Sequence, residues 1–190
     1  MDESLHQRLR HGTARAHRQL ETFLEGRRFF ATLAGYTAFL RASLGFQAEA
    51  EQALSDCGAL TVIPDWPLRR RAQLARQDLE ALGSWHRGGP EPASQLTKVA
   101  KPEWVLGVAY VMEGATLGGA VLLKTVAHLQ VSPSHGASFL AGYGRDRGVM
   151  WQAFLTNLMR WQELGIAQEE VVHAADSAFG AARRYFETVT

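Results

Sequence analysis

From Val105 to Leu123, in VLGVAYVMEGATLGGAVLL, the chain carries a single charge, Glu113. So long an apolar run either crosses a bilayer or lies as a helix in the middle of a protein with most of its sides covered. A carboxylate at mid-membrane costs about 2.5–3.5 kcal/mol on insertion scales. The expectation is therefore a central buried helix, from about Pro102 to His128, with no membrane insertion. A helix covered on most sides needs other helices around it, and the remaining sequence supplies them.

Leu5, Leu9, Thr13, Ala16, Leu20 and Leu24 recur at steps of three and four and predict one first helix with one buried face. A second helix is expected from about Ala31 into the fifties, carrying Tyr36, Phe39, Leu40, Leu44 and Phe46, with SDCGAL ending it. TVIPDWPLRRR reads as a connector. A helix through Leu74, Leu79 and Leu82 follows, stopping at Gly83, and HRGGPEPAS is the clearest loop. After the central helix, VSPSHGAS breaks the chain before a short helix around Phe139. Two more helices, Arg145–Leu164 and Gln168–Thr188, complete it, joined by ELGIAQ. No run alternates apolar and polar residues for long enough to make a strand, and there is no internal repeat. The reading is one all-α domain spanning residues 1–190, long enough to bury a substantial core.

Charge and cysteine content narrow the partners. With 20 basic and 19 acidic side chains the formal charge is +1, which argues against a nucleic-acid partner, since such binding wants a concentrated basic surface. The one cysteine, Cys57, excludes an internal disulfide and suits a reducing cytoplasm. The opening MDESLHQRLRHG is polar, without the basic-then-apolar pattern of a signal peptide, and cytoplasmic residence is expected.

Two stretches carry candidate chemistry. In LRHGTARAHRQLE, residues on a helix are about 100° apart, which puts Arg10, His17 and Glu21 in one stripe at the rim of the apolar face. Glu21, four residues after His17, can hold one imidazole nitrogen as a donor and leave the other as a neutral acceptor, as the partners of metal-binding histidines do. The same pair also occurs as an ordinary solvated surface pair. In the central stretch, Gly107, Gly114, Gly118 and Gly119 fall in one helix, and each interior glycine costs about 1 kcal/mol relative to alanine. Tyr110, Gly114 and Gly118 share a face, a bare backbone groove bordered by an aromatic ring. The groove suits either a neighbouring helix at close range or a flat ligand.

Together these stretches resemble the heme oxygenase family, specifically its bacterial biliverdin-producing group. LRHGTARAH followed by RQLE is similar to the family's proximal-helix motif, and YVMEGATLGG to its distal-helix motif. GYTAFLRASLGFQAEAEQAL, RRRAQLARQDLEALG and AFGAARRYFE extend the resemblance over most of the chain. It implies a helical bundle holding heme b between a proximal helix and a kinked distal one. His17 takes the role of iron ligand and Glu21 that of its partner. Arg10 falls at the place of a propionate contact, with Tyr110 as a second. Gly114 and Gly118 pass close over the heme face and steer the site of attack. The implied reaction uses O2 and external electrons to open heme to biliverdin, carbon monoxide and ferrous iron. A ferredoxin or flavin reductase is the implied donor, since no Gly-rich dinucleotide fingerprint follows a strand here. Some bacterial relatives pass biliverdin to phytochromes. Many family members place an aspartate, which anchors waters, directly after the first distal glycine; this chain has Ala115.

Ala115 keeps open a non-catalytic heme carrier or sensor of the same fold. A third reading is a di-iron oxidase, since Glu170 and His173 in EEVVH have the Glu-x-x-His spacing of such bundles, though no convincing second copy accompanies them. His6, His11, His86, His128 and His135 are expected at helix ends or in loops, without a chemical role.

Overall fold

A computed structural model describes residues 3–85 and 95–189, and the loop expected at HRGGPEPAS lies outside the described residues. The architecture is all-α: α1 (Leu5–Gly12), α2 (Ala14–Gly26), α3 (Leu33–Asp56), α4 (Ala59–Val62), α5 (Ala72–Ala81), α6 (Pro102–Thr125), α7 (Ser138–Ala141), α8 (Arg147–Glu163) and α9 (Gln168–Glu187). Among the described residues extended pairing is confined to an isolated bridge around Ser132 and His135.

The central helix forms as the sequence predicts, ending at Thr125 with a 3-10 turn, Ala127–Leu129, behind it. By length and composition α6 could cross a membrane, but here it is the helix the others pack on. Its most extensive contact is with α9, and α7, α8 and α3 also lie against it. Val105, Leu106, Val108, Ala109 and Met112 on α6 join Val171, Ala175, Ala178 and Ala182 of α9 in one core. Small residues on α9 bring the two backbones together, and burial of the larger aliphatic side chains stabilises by about 1.5–3 kcal/mol each.

One expectation is corrected. The predicted first helix is two, because Thr13 interrupts it at φ −96°, ψ 0°. Thr13 is buried, and its hydroxyl donates to the Leu9 carbonyl at 2.7 Å, a backward bond that bends helices. Hydrogen bonding nonetheless continues through the bend, Thr13 N–H to Leu9 O at 3.0 Å and His17 N–H to Thr13 O at 2.9 Å. The junction is therefore a stiff bend rather than a loop. It separates Arg10, on α1, from His17 and Glu21, on α2.

Buried carboxylates tie distant segments together. Glu51 of α3 accepts from the backbone N–H groups of Arg71 and Ala72 at the start of α5. Asp78 of α5 accepts from both the backbone and hydroxyl of Ser138 at 2.8 Å and from the backbone of Phe139 at 2.8 Å, fixing α7. Each ionised carboxylate thus spends its lone pairs on orphan donors at a helix start.

Candidate functional site

The four glycines of α6 divide into two kinds. A Cβ on Gly107 would stand 2.5 Å from the Val171 carbonyl oxygen and 2.8 Å from the Ala175 nitrogen, and one on Gly119 would stand 2.5 Å from the Leu140 carbonyl oxygen. These two glycines let α9 and α7 approach. A Cβ on Gly114 or Gly118 would meet nothing within 4 Å. Packing therefore accounts for half of the glycines and leaves the other half facing open space, in a strip with Leu117 (41% exposed) and Val121 (67% exposed). Large aliphatic side chains left in solvent beside bare backbone give the strip an apolar surface with room above it.

His17 is half-exposed on α2. Its Nδ1 lies 3.1 Å from Glu21 Oε2, and its ring meets Phe179 of α9 edge-on at 5.6 Å. Glu21 thus stands beside Nδ1, which leaves Nε2 as the ring nitrogen available to a metal. The predicted His17–Glu21 pair is thus present, and both α2 and α6 are laid on α9.

Tyr110 stands one turn before Gly114, at the corner where α1, α6 and α8 meet. Its hydroxyl lies beside that of Thr13, it feels the Arg10 charge, and burial holds its phenol above the usual range. Trp151 of α8 packs on it at 6.1 Å. Arg10 is exposed and makes no ion pair among the described residues. His6, expected at a helix end and without a role, lies in the first turn of α1. It packs edge-on against both Tyr110 (6.4 Å) and Trp151 (5.7 Å).

Glu113 is the residue whose setting sequence reasoning missed. It is 2% exposed, accepts from Arg69 Nη1 at 2.6 Å and accepts from the Tyr143 hydroxyl at 2.7 Å. Arg69, 1% exposed, also donates to both oxygens of Asp65 at 2.7 Å. Burial and the Glu113 charge push the Tyr143 phenol up. Arg71 donates to the Met112 carbonyl and the Thr116 hydroxyl donates to the Glu113 carbonyl at 2.7 Å. Two successive carbonyls of α6, directly before Gly114, thus take an additional donor. The signal available in the sequence was the lone charge of the apolar helix, which demanded a buried cation. The triplet Arg69–Arg70–Arg71 offered three, and nothing in their order says which one.

The other readings find less support. Glu170 is paired with Lys101, and no group of three or more His, Cys, Asp or Glu side chains able to hold a metal occurs among the described residues. A concavity of about 1040 Å³ lies between residues 95–104 and the α9 face bearing Glu170, His173, Ser177 and Arg184. Glu170, His173, Ser177 and Arg184 lie about 120–180° around α9 from Phe179, which packs on His17, so most of this groove faces away from that histidine.

Known proteins resemble this chain over most of its length. The family model "Heme oxygenase" matches residues 3–188. The heme oxygenase PigA of Pseudomonas aeruginosa is 29% identical over 179 residues, covering 94% of this chain and 88% of that protein. A heme oxygenase of Xanthomonas campestris pv. campestris is 30% identical over 146 residues, covering 73% of this chain and 85% of that one. Among solved structures, the heme oxygenase of Neisseria meningitidis superposes with a TM-score of 0.82 at 24% identity, over 99% of this chain and 92% of the other. The same fold is the one expected from the sequence. A family match over nearly the whole chain, joined to two relatives matched over 88% and 85% of their own length, assigns the protein to the heme oxygenase family.

Proposed function

We propose that the chain is a heme oxygenase that binds heme b between α2 and α6 and opens it to biliverdin, carbon monoxide and ferrous iron. The observation that carries the reading is the open strip over Gly114 and Gly118, in a chain that also presents an imidazole committed to a carboxylate at one nitrogen only. Bound heme supplies the iron that activates O2 and is itself the substrate consumed. Electrons come from an outside donor of the ferredoxin or flavin-reductase class, consistent with residence in the cytoplasm.

The chain's own residues position and shape. Glu21 stands against His17 Nδ1 and so orients the imidazole, with Nε2 as the ligating atom. Gly114 and Gly118 present main chain where any side chain would occupy the ligand's space. Arg10 and Tyr110 sit at the α1–α6–α8 corner, and there they receive the carboxylates of the substrate. With Ala115 in place of a carboxylate, the water chain on the distal side has to use backbone. The doubly engaged carbonyls of Met112 and Glu113 fix that backbone.

The test is spectroscopic and chemical. Ferric heme added to the wild type should give an axial-histidine spectrum that His17→Ala lacks and that added imidazole restores. With a reductant and O2, a biliverdin band should then appear. An unchanged heme spectrum under those conditions means a carrier of the same fold, and an unaltered axial-histidine spectrum in His17→Ala removes the ligand assignment.

A further inference from the structure

His6 is the unexplained member of the α1–α6–α8 corner. It is half-buried and packed edge-on against Tyr110 and Trp151, and neither of its ring nitrogens has a hydrogen-bond partner among the described residues. The two aromatic contacts fix the ring while its nitrogens stay open to solvent, so both are available to a ligand. Arg10, one turn further along α1, is likewise without an ion pair. Two nitrogen donors on consecutive turns of one helix, beside a phenol on the next, make a receptor for a carboxylate.

We propose that His6 is a third substrate-binding group, donating a ring N–H to a carboxylate of the substrate alongside Arg10 and Tyr110. The inference rests on the proposed heme-binding reading, which supplies the carboxylates. It adds a residue that the resemblance to the family did not single out, and it gives the two aromatic contacts a purpose: Tyr110 and Trp151 hold the imidazole in one orientation. In the free protein, burial and then the Arg10 charge keep His6 below its usual pKa. The groups packed against it are Arg10 on α1, Tyr110 on α6 and the non-ionising Trp151 on α8. None of them is an anion that favours the imidazolium. A substrate carboxylate supplies that anion, so seating the substrate also draws a proton onto His6.

The test compares wild type with His6→Phe, which keeps the aromatic packing and removes the donors, and with His6→Gln, which keeps a neutral donor. Heme and heme dimethyl ester, whose carboxylates are masked, are titrated into each at neutral pH. The expected result is heme affinity five- to tenfold weaker in His6→Phe and largely restored in His6→Gln, with the ester bound equally by all three. Calorimetry in two buffers of different ionisation enthalpy should show proton uptake on heme binding that is greater in wild type than in His6→Gln. Heme affinity in His6→Phe within twofold of wild type overturns the proposal. An equal loss for heme and its ester also overturns it, because that pattern reports packing alone. Failure of the wild type to show a His17-dependent heme spectrum sinks the functional reading instead, and the two failures are therefore distinguishable.

Discussion

His17 and Gly114 act as single residues, and each has a neighbour that makes its role readable. His17 without Glu21 is a solvated helix residue; with Nδ1 at 3.1 Å from the carboxylate its ring is oriented and Nε2 is the nitrogen left over. Their i,i+4 spacing was legible in the sequence, because on a helix that spacing alone brings side chains together. Gly114 was legible only as an anomaly. Whether a helix or a ligand fills the space above it depends on where the other helices go. Since a Cβ there meets nothing within 4 Å, a larger side chain is accommodated without strain in the free protein and intrudes only on the ligand. Gly114→Leu should accordingly fold with wild-type stability or better, yet lose heme turnover by at least tenfold. Thermal unfolding of the free protein and single-turnover biliverdin formation measure the two effects separately. Full turnover in this variant would refute the groove.

At the scale of the element, α6 does two jobs with one residue type. Gly107 and Gly119 are there for α9 and α7; Gly114 and Gly118 are there for the strip. The four substitutions to alanine should therefore split by sign. At Gly107 and Gly119 the new methyl meets backbone at 2.5 Å, and a well-packed interior yields at about 1–3 kcal/mol of stability. At Gly114 and Gly118 nothing is struck and helix propensity gains up to about 1 kcal/mol, while heme affinity falls. Denaturant midpoints of the four variants, set beside their heme affinities, test this. The same sign at all four positions would mean the glycines share one purpose.

The sequence carried the existence of α6 but not this partition, because periodicity records that a face is special and not what lies against it. It also missed the bend at Thr13, which keeps the three-and-four spacing of the apolar residues intact while turning the axis. A threonine whose hydroxyl bonds backward looks, in sequence, like any other small residue on a buried face.

The helix lay-out was readable because each helix carries its own local pattern, whereas the links that lock the helices together join residues far apart in the chain. Arg69 and Glu113 are 44 residues apart, and Asp78 and Ser138 are 60. Arg69 shows what such a link contributes. It bridges Asp65, before α5, to Glu113, on α6, and also reaches the Met150 carbonyl on α8 at 3.3 Å. Removing a partner from a buried ion pair leaves an uncompensated charge and typically costs about 3–5 kcal/mol. Arg69→Met should fall in that range, with Arg69→Met/Glu113→Leu recovering part of the loss because only the partly exposed Asp65 carboxylate then lacks its partner. A double variant as unstable as the single one would show that packing, not charge, is what Arg69 supplies.

Charge also sets how the whole molecule responds to pH. In the free protein His6 is held below its usual pKa by burial and by Arg10, so the folded chain binds fewer protons at this site than the unfolded chain does. Wherever the unfolded state binds more protons, stability rises with pH. The sign follows: with the unfolded value near the ordinary 6.5, His6 costs nothing at higher pH and becomes destabilising as acidification proceeds below it. His6→Gln cannot take up that proton. The midpoint of the ligand-free wild type should therefore drop more steeply than that of His6→Gln between about pH 7 and pH 5, with the two curves converging above pH 7.5 once the substitution's constant offset is subtracted. Heme should shrink the difference in slope, because a carboxylate placed at the α1–α6–α8 corner favours the imidazolium that the empty corner penalises. Parallel curves with and without heme would show that His6 senses only its protein neighbours and that no anion is seated there.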